Sequence, residues 1–157
     1  MTATTTFEQI AIGARWVSFG RTMTEADLLQ ACMSSGDWHP IHADETYARK
    51  TPLGHRIFQG SYGLHVAFGM ATQFPALGDD VIAALGFSEW RYLKPLFVGD
   101  TVHVEVVVAD KRRTSDGRRG LLQRRITLRN QNGQIVQQGV AETMVRAGET
   151  GTGEGGQ

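Results

Sequence analysis

The chain has 157 residues, 41% of them hydrophobic and 20% charged, and its sixteen basic and sixteen acidic residues cancel. That length supports one domain with its own core, and the even charge balance gives no electrostatic case for nucleic acid or an anionic membrane surface. With no long apolar run, no basic-then-apolar leader and Cys32 as the only cysteine, the expectation is a cytoplasmic, non-membrane protein without an intrachain disulfide.

Residues 1–6 are small and Thr-rich and are expected to be loose. Ile10, Ile12, Trp16, Val17 and Phe19 suit an extended first strand interrupted by Gly13. Thr24 reads as an N-cap with Asp27 in the capping-box position, and Leu28, Leu29 and Cys32 give the helix that follows an apolar face. It should end near Gly36 and deliver Asp37 at its C-terminus, where the helix dipole disfavours a carboxylate. Gly36 and Pro40 then argue for a fixed, non-repeating backbone. Asp44 can cap a short helix carrying Tyr47, read as a core aromatic, and Ala48.

A longer helix is predicted from just after Gly60. Leu64, Ala67, Phe68, Ala71 and Phe74 recur at helical spacing until Pro75 stops the pattern. Gly63 and Gly69 weaken it in isolation and permit close approach of a sheet or ligand. From Val81 the period becomes extended, through Trp90 to Pro95. After Gly99 and Asp100, Val102, Val104, Val106 and Val108 alternate with more polar residues. A turn at Ser115 to Gly117 leads to a strand with Leu122, Ile126 and Leu128 on one face, and Asn132 with Gly133 makes a hairpin into Ile135 to Arg146. Residues 147–157 form a Gly-rich tail expected to be disordered.

The order predicts a single α+β domain over 1–146: four successive antiparallel strands curled around the one long apolar helix, with exposed edges that favour dimerisation. Basic residues from Lys111 to Arg129 cluster on the hairpins, either as a solvated rim or as a dock for a phosphate-bearing ligand.

Asp37 and His42 place a carboxylate and an imidazole five residues apart, a pair suited to moving protons through one water molecule. Taken singly, Asp37 reads as well as a turn residue and His42 as a hydrogen-bonded structural histidine. A metal site built from His39, His42 and His55 is a rival, opposed by Pro40 between the first two. His65 reads as a core histidine sooner than as one that faces the sheet or a ligand tunnel, while Trp38 and Trp90 fit either an acyl pocket or the core. Ser61 and Tyr62 are candidate substrate contacts, with a cap role equally open for Ser61. No P-loop, dinucleotide fingerprint, Cys-x-x-Cys or Gly-x-Ser-x-Gly is present, which leaves acid–base chemistry without a bound cofactor as the simplest account.

The strings from Gly36 to Asp44, from Ile57 to Gly60 and from Lys94 to Thr101 together resemble the MaoC-like (R)-specific enoyl-CoA hydratases. The resemblance implies a hot-dog fold, an antiparallel sheet wrapped around a long central helix, and action on acyl thioesters of coenzyme A as substrate rather than cofactor. The family's Gly-Asp-x-Asn-Pro-x-His motif falls on this chain with Asp37 and His42 as the dyad and His39 in place of the Asn. It implies that the Gly60 N–H faces the thioester carbonyl. A helix hydroxyl used by some members has no counterpart, Gly69 lying near its place. The expectation is therefore a homodimer or higher homo-oligomer that reversibly hydrates 2-enoyl-CoA, with Asp37 and His42 catalytic and Gly60, Ser61, Tyr62, Trp38 and His39 around the substrate. A hot-dog thioesterase and a non-catalytic acyl-CoA-binding subunit are the alternatives.

Overall fold

The capping box opens the first helix as the sequence requires. In this computed structural model, which describes residues 6–74 and 80–148, Thr24 Oγ1 accepts from the Asp27 N–H and Asp27 returns a bond to the Thr24 N–H. The elements are β1 (Arg15–Val17), β2 (Arg21–Thr22), α1 (Glu25–Ser35), one-turn helices α2 (Pro40–Ala43) and α3 (Glu45–Ala48), α4 (Gly60–Ala71), and strands β3 (Val81–Tyr92), β4 (Thr101–Arg113), β5 (Arg119–Arg129) and β6 (Ile135–Arg146). Gly36 closes α1 in the left-handed region, at φ 71°, where its N–H reaches the Cys32 carbonyl.

The sheet runs β1-β4-β5-β6-β3 with every neighbouring pair antiparallel, and β2 adds to β4. Its concave face holds α4. Val102, Val104, Val106, Ile126, Leu128, Val136 and Ala141 pack with Val66, Ala67, Met70 and Ala71 of the helix. Each large aliphatic side chain fully buried there contributes roughly 1.5–3 kcal/mol. This is the antiparallel sheet around a central helix that the sequence led us to expect, of the α+β class.

Several details differ. The expected strand over Ile10 to Phe19 shrinks to three residues, because Gly13 turns the chain at φ 85° and the Ala14 N–H bonds back to the Ala11 carbonyl. β3 and β4 are consecutive but not neighbours. The residues between them run past the end of β6, where the N–H groups of Leu93 and Lys94 both reach the Val136 carbonyl, so β3 pairs with β6 at the sheet's edge. The buried face of α4 is Gly63, Val66, Ala67, Met70 and Ala71, rotated from the expected one; Leu64 and Phe68 turn towards β3 half-buried. Gly63 belongs to this face because a Cβ there would stand 2.1 Å from Gln137 Nε2, so a larger residue would have to displace that amide. Gly69 meets no such neighbour. Leu29, Tyr47 and His65 are exposed rather than core residues. Pro75 lies outside the described residues.

The ordered chain continues past Arg146. Ala147 is buried, its N–H bonds the Arg118 carbonyl, and Gly148 accepts from Arg113. The expected tail thus loses its first two residues to the fold, and 149–157 lie outside the described residues. The basic cluster is divided: Arg112, Arg118, Arg119 and Arg125 are exposed, as a solvated rim would be, while several members are engaged by the fold. Lys111 Nζ is held by the carbonyls of Phe7, Glu8 and Ile10, Arg119 pairs with Asp116 at 2.8 Å, and Arg129 reaches the Gly133 carbonyl. Arg124 is buried against Thr143, and burial pushes its guanidinium down to about 10. No helix among the described residues is long and apolar enough to cross a membrane.

Candidate active site

Three side chains in succession cap the backbone two residues ahead. Ser35 Oγ accepts from the Asp37 N–H at 3.1 Å, Asp37 Oδ1 from the His39 N–H at 3.1 Å, and His39 Nδ1 from the Ile41 N–H at 3.2 Å. Such local bonds stabilise turns against regular structure. The chain does not stay irregular, however. Pro40 opens α2 as its first residue, where its fixed φ suits a helix and its missing N–H costs nothing. That single turn brings His42 back over Asp37.

The His42 ring is nearly buried, with Nδ1 2.7 Å from the Ile57 carbonyl and Nε2 3.5 Å from Asp37 Oδ2. A carbonyl only accepts, so Nδ1 carries the proton of the neutral ring and Nε2 presents a lone pair beside the carboxylate. Asp37 keeps nearly half its side chain exposed. Two acceptors at this separation suit a water molecule that donates one proton to each.

Ile57 is fixed by its N–H to the Ile41 carbonyl, and Phe58 by its N–H to Leu96, so the approach to α4 is pinned on both sides. Gln59 is the N-cap of α4 but makes no side-chain cap bond. Its amide instead turns back, with Nε2 donating to the Asp37 carbonyl at 3.1 Å and to Cys32 Sγ at 3.4 Å. No backbone bond occupies the N–H of Gly60 or Ser61 among the described residues. These are donors at the positive end of a helix dipole.

Asp37, His42, Gln59, Gly60 and Ser61 line one cavity of about 590 Å³, closed on the other side by Tyr92, Lys94, Leu96 and Gln137. The Tyr92 ring lies against Gly60 so closely that a Cβ there would be 2.9 Å from it. Of the residues singled out in the sequence, the structure brings Asp37, His42, Gly60 and Ser61 to this cavity. Trp38, 53% exposed, does not line it. Neither does His39, spent on capping α2. Tyr62 stacks on Phe58 at 5.5 Å and bonds Asp27 at 3.3 Å instead. Burial and the Asp27 charge raise the Tyr62 hydroxyl, which therefore stays protonated. Ser61 makes no cap bond, because it sits inside the first turn rather than before it.

The three histidines considered for a metal are not gathered: His55 pairs with Glu45 at 3.1 Å, and no group of three ligand-type side chains occurs among the described residues. Sequence reasoning missed Gln59, Tyr92 and Gln137. Gln59 carried a usable signal in adjoining Gly60. Gln137 carried none, because Val136 and Gln137 are both buried and strand alternation cannot say which faces the cavity.

The family described as MaoC like domain matches residues 10–128. Mesaconyl-CoA hydratase of Cereibacter sphaeroides is 31% identical over 112 residues, covering 71% of this chain and 32% of that protein; the chain thus spans about a third of that relative's length. The solved structure of a monoamine oxidase regulatory protein from Archaeoglobus fulgius superposes with a TM-score of 0.86 at 30% identity over 93% of this chain and 97% of that one. R-hydratase PhaJ1 from Pseudomonas aeruginosa gives 0.70 at 25% identity, over 92% and 88%. With the fold, the motif from Gly36 to His42 and these likenesses in agreement, the chain belongs to the MaoC-like dehydratase family.

Proposed function

We propose that this protein reversibly hydrates trans-2-enoyl-CoA to (R)-3-hydroxyacyl-CoA, with Asp37 and His42 as the acid–base dyad and the Gly60 N–H as oxyanion donor. The observation that carries this reading is the 3.5 Å approach of His42 Nε2 to Asp37 Oδ2 in the cavity that also contains Gly60. The names of two relatives, a mesaconyl-CoA hydratase and an R-hydratase, support it.

A water held by both acceptors turns its oxygen lone pair towards the substrate. Its hydroxyl adds at Cβ while the dyad takes one proton and supplies one to Cα, so the sum is H and OH across the double bond and the dyad ends as it began. Charge gathers meanwhile on the thioester oxygen. A fixed N–H donor at such an oxygen contributes about 10²–10³ in rate, and a positioned acid–base pair about 10²–10⁴. Glycine at position 60 leaves room for the Tyr92 ring, from which a Cβ would stand only 2.9 Å. Coenzyme A is part of the substrate in this reading, not a cofactor. Lys94, exposed on the cavity wall, is available to its anionic portion.

The outer edge of β3, which carries no strand among the described residues, supports a homodimer as the working form. A cytoplasmic setting goes with the same reading and with the single cysteine. The test is to follow crotonyl-CoA with the purified protein. Loss of the enoyl thioester absorbance with no thiol released is expected; release of thiol would make the protein a thioesterase, and no reaction with any enoyl thioester a binding subunit.

A further inference from the structure

We propose that Gln137, on β6 and outside the dyad, is the positioning residue of the oxyanion donor, and that Trp90 holds Gln137 in turn; the inference rests on the hydratase reading of Gly60. Gln137 is 2% exposed, and an end of a buried amide left without a partner costs free energy. Its Nε2 donates to the Gly60 carbonyl at 3.1 Å, and its Oε1 accepts from Trp90 Nε1 at 3.0 Å. An indole N–H only donates, so Trp90 fixes which end of the amide is oxygen and leaves the nitrogen for Gly60.

The consequence falls on the peptides around Gly60. The carbonyl before it, of Gln59, accepts from the Tyr62 N–H at 3.0 Å, and the carbonyl after it is held by Gln137. Both planes flanking the Gly60 Cα are thereby pinned, and with them the direction of its N–H. Glycine is the residue least able to hold its own backbone direction. The first turn of α4 already gives the Gly60 carbonyl a partner four residues on, and Gln137 adds a second anchor from β6.

Two further glycines clear the way for this arrangement. A Cβ on Gly63 would stand 2.1 Å from Gln137 Nε2, and a Cβ on Gly139 would stand 2.6 Å from the Trp90 ring. The amide crosses α4 over Gly63, and the indole lies on β6 over Gly139. Neither the Gln137 nor the Trp90 side chain hydrogen-bonds Asp37 or His42 among the described residues, so their removal separates aiming of the donor from proton transfer.

The test uses an enoyl-CoA labelled with ¹³C at the thioester carbonyl, bound to the full-length protein carrying His42→Ala to slow turnover. Difference infrared spectra report the hydrogen bonding of that carbonyl. A shift to lower wavenumber on binding is expected, with most of it lost when Gln137→Met is added. In the otherwise wild-type protein, Gln137→Met should lower kcat about 10- to 100-fold, the scale of a misplaced group, with KM within about twofold. Trp90→Phe keeps an aromatic six-membered ring and removes the donor together with the pyrrole half of the indole. It should move both readouts the same way by less, and it carries the test if Gln137→Met does not fold. Gln137→Glu offers a rescue, because its protonated carboxyl can both accept from Trp90 and donate to Gly60. Its activity relative to wild type should rise as the pH falls. A full carbonyl shift retained in Gln137→Met and Trp90→Phe overturns the inference while leaving the hydratase reading intact. Absence of any shift with Gln137 present overturns the oxyanion role of Gly60, and this inference with it.

Discussion

His42 Nε2 stands 3.5 Å from Asp37 Oδ2 while the opposite nitrogen of the same ring lies 2.7 Å from the Ile57 carbonyl. One side of the imidazole is thus tied to backbone and the other is free to work with the carboxylate. If the two residues act as a unit, Asp37→Asn and His42→Ala should each lower kcat for enoyl-CoA hydration by about 10²–10⁴. The double variant should be no worse than the poorer single one by more than a small factor. Circular dichroism should be unchanged for Asp37→Asn, since its Oδ1 can still accept from the His39 N–H. Turnover in Asp37→Asn close to that of wild type would remove the dyad from the mechanism.

The same geometry fixes a tautomer. A neutral ring with its proton on Nδ1 is expected, because a carbonyl cannot donate to it. In ¹⁵N-labelled protein at a pH where the ring is neutral, the His42 Nδ1 signal should have the shift of a protonated nitrogen and Nε2 that of a bare one. The reverse pattern would leave Nε2 unable to take a proton from water, and the base would have to be Asp37.

The parts of this molecule that could be read in advance are those fixed within a few residues. Thr24 and Asp27 close their own ring of bonds, and Asp37 and His42 needed only Gly36, Pro40 and one turn between them. The alternating valines of β4 need only a face to bury. What could not be read is set by how far the sheet curls and which way α4 rolls on it. Gly63 meets Gln137 across 74 positions of sequence, and Tyr92 covers Gly60 because β3 ends at the cavity after pairing with β6. Neither pairing leaves a local trace. Trp38 misled for the same reason: it adjoins Asp37 in sequence, but the turn that aims the carboxylate inward leaves the indole outside.

Glu45 gives a stability prediction with a defined pH window. Hydrogen bonds from Arg49 and then His55, with Arg56 beyond them, hold its carboxyl down to about 2 from an ordinary 4.5. Since the folded value lies below the unfolded one, the stabilisation is full above the ordinary value and is lost as the pH falls through the folded one. Glu45→Gln should therefore melt below wild type near neutrality, and the gap should close as the pH drops from about 4.5 towards about 2. The site is open to solvent, so salt should also narrow the gap. A difference in melting temperature that stays constant across that window would show that Glu45 acts by something other than its charge.

The edge of β3 away from β6 carries no strand among the described residues, and Val81, Ile82, Leu85 and Phe87 are all exposed along it. A long, apolar, unpaired edge invites association unless something covers it. Beside it a groove of about 460 Å³ runs between α4 and β3, walled by Leu64, Phe68, Leu85 and Phe87. A second copy satisfies both features by one operation, because an edge pairing with its own image is antiparallel and buries the same side chains twice. The expected species in sedimentation velocity is therefore a dimer. Ile82→Glu with Leu85→Glu sets four carboxylates into that contact, two from each copy, and should shift the protein to monomer without changing its circular dichroism. Phe87 is the poorer choice for substitution, since its ring also packs on Phe68 and Trp90 at 6.0 and 6.4 Å. Wild type sedimenting as a monomer at concentrations well above those of assay would rule the pairing out. A dimer unaffected by the two glutamates would place the contact on another face.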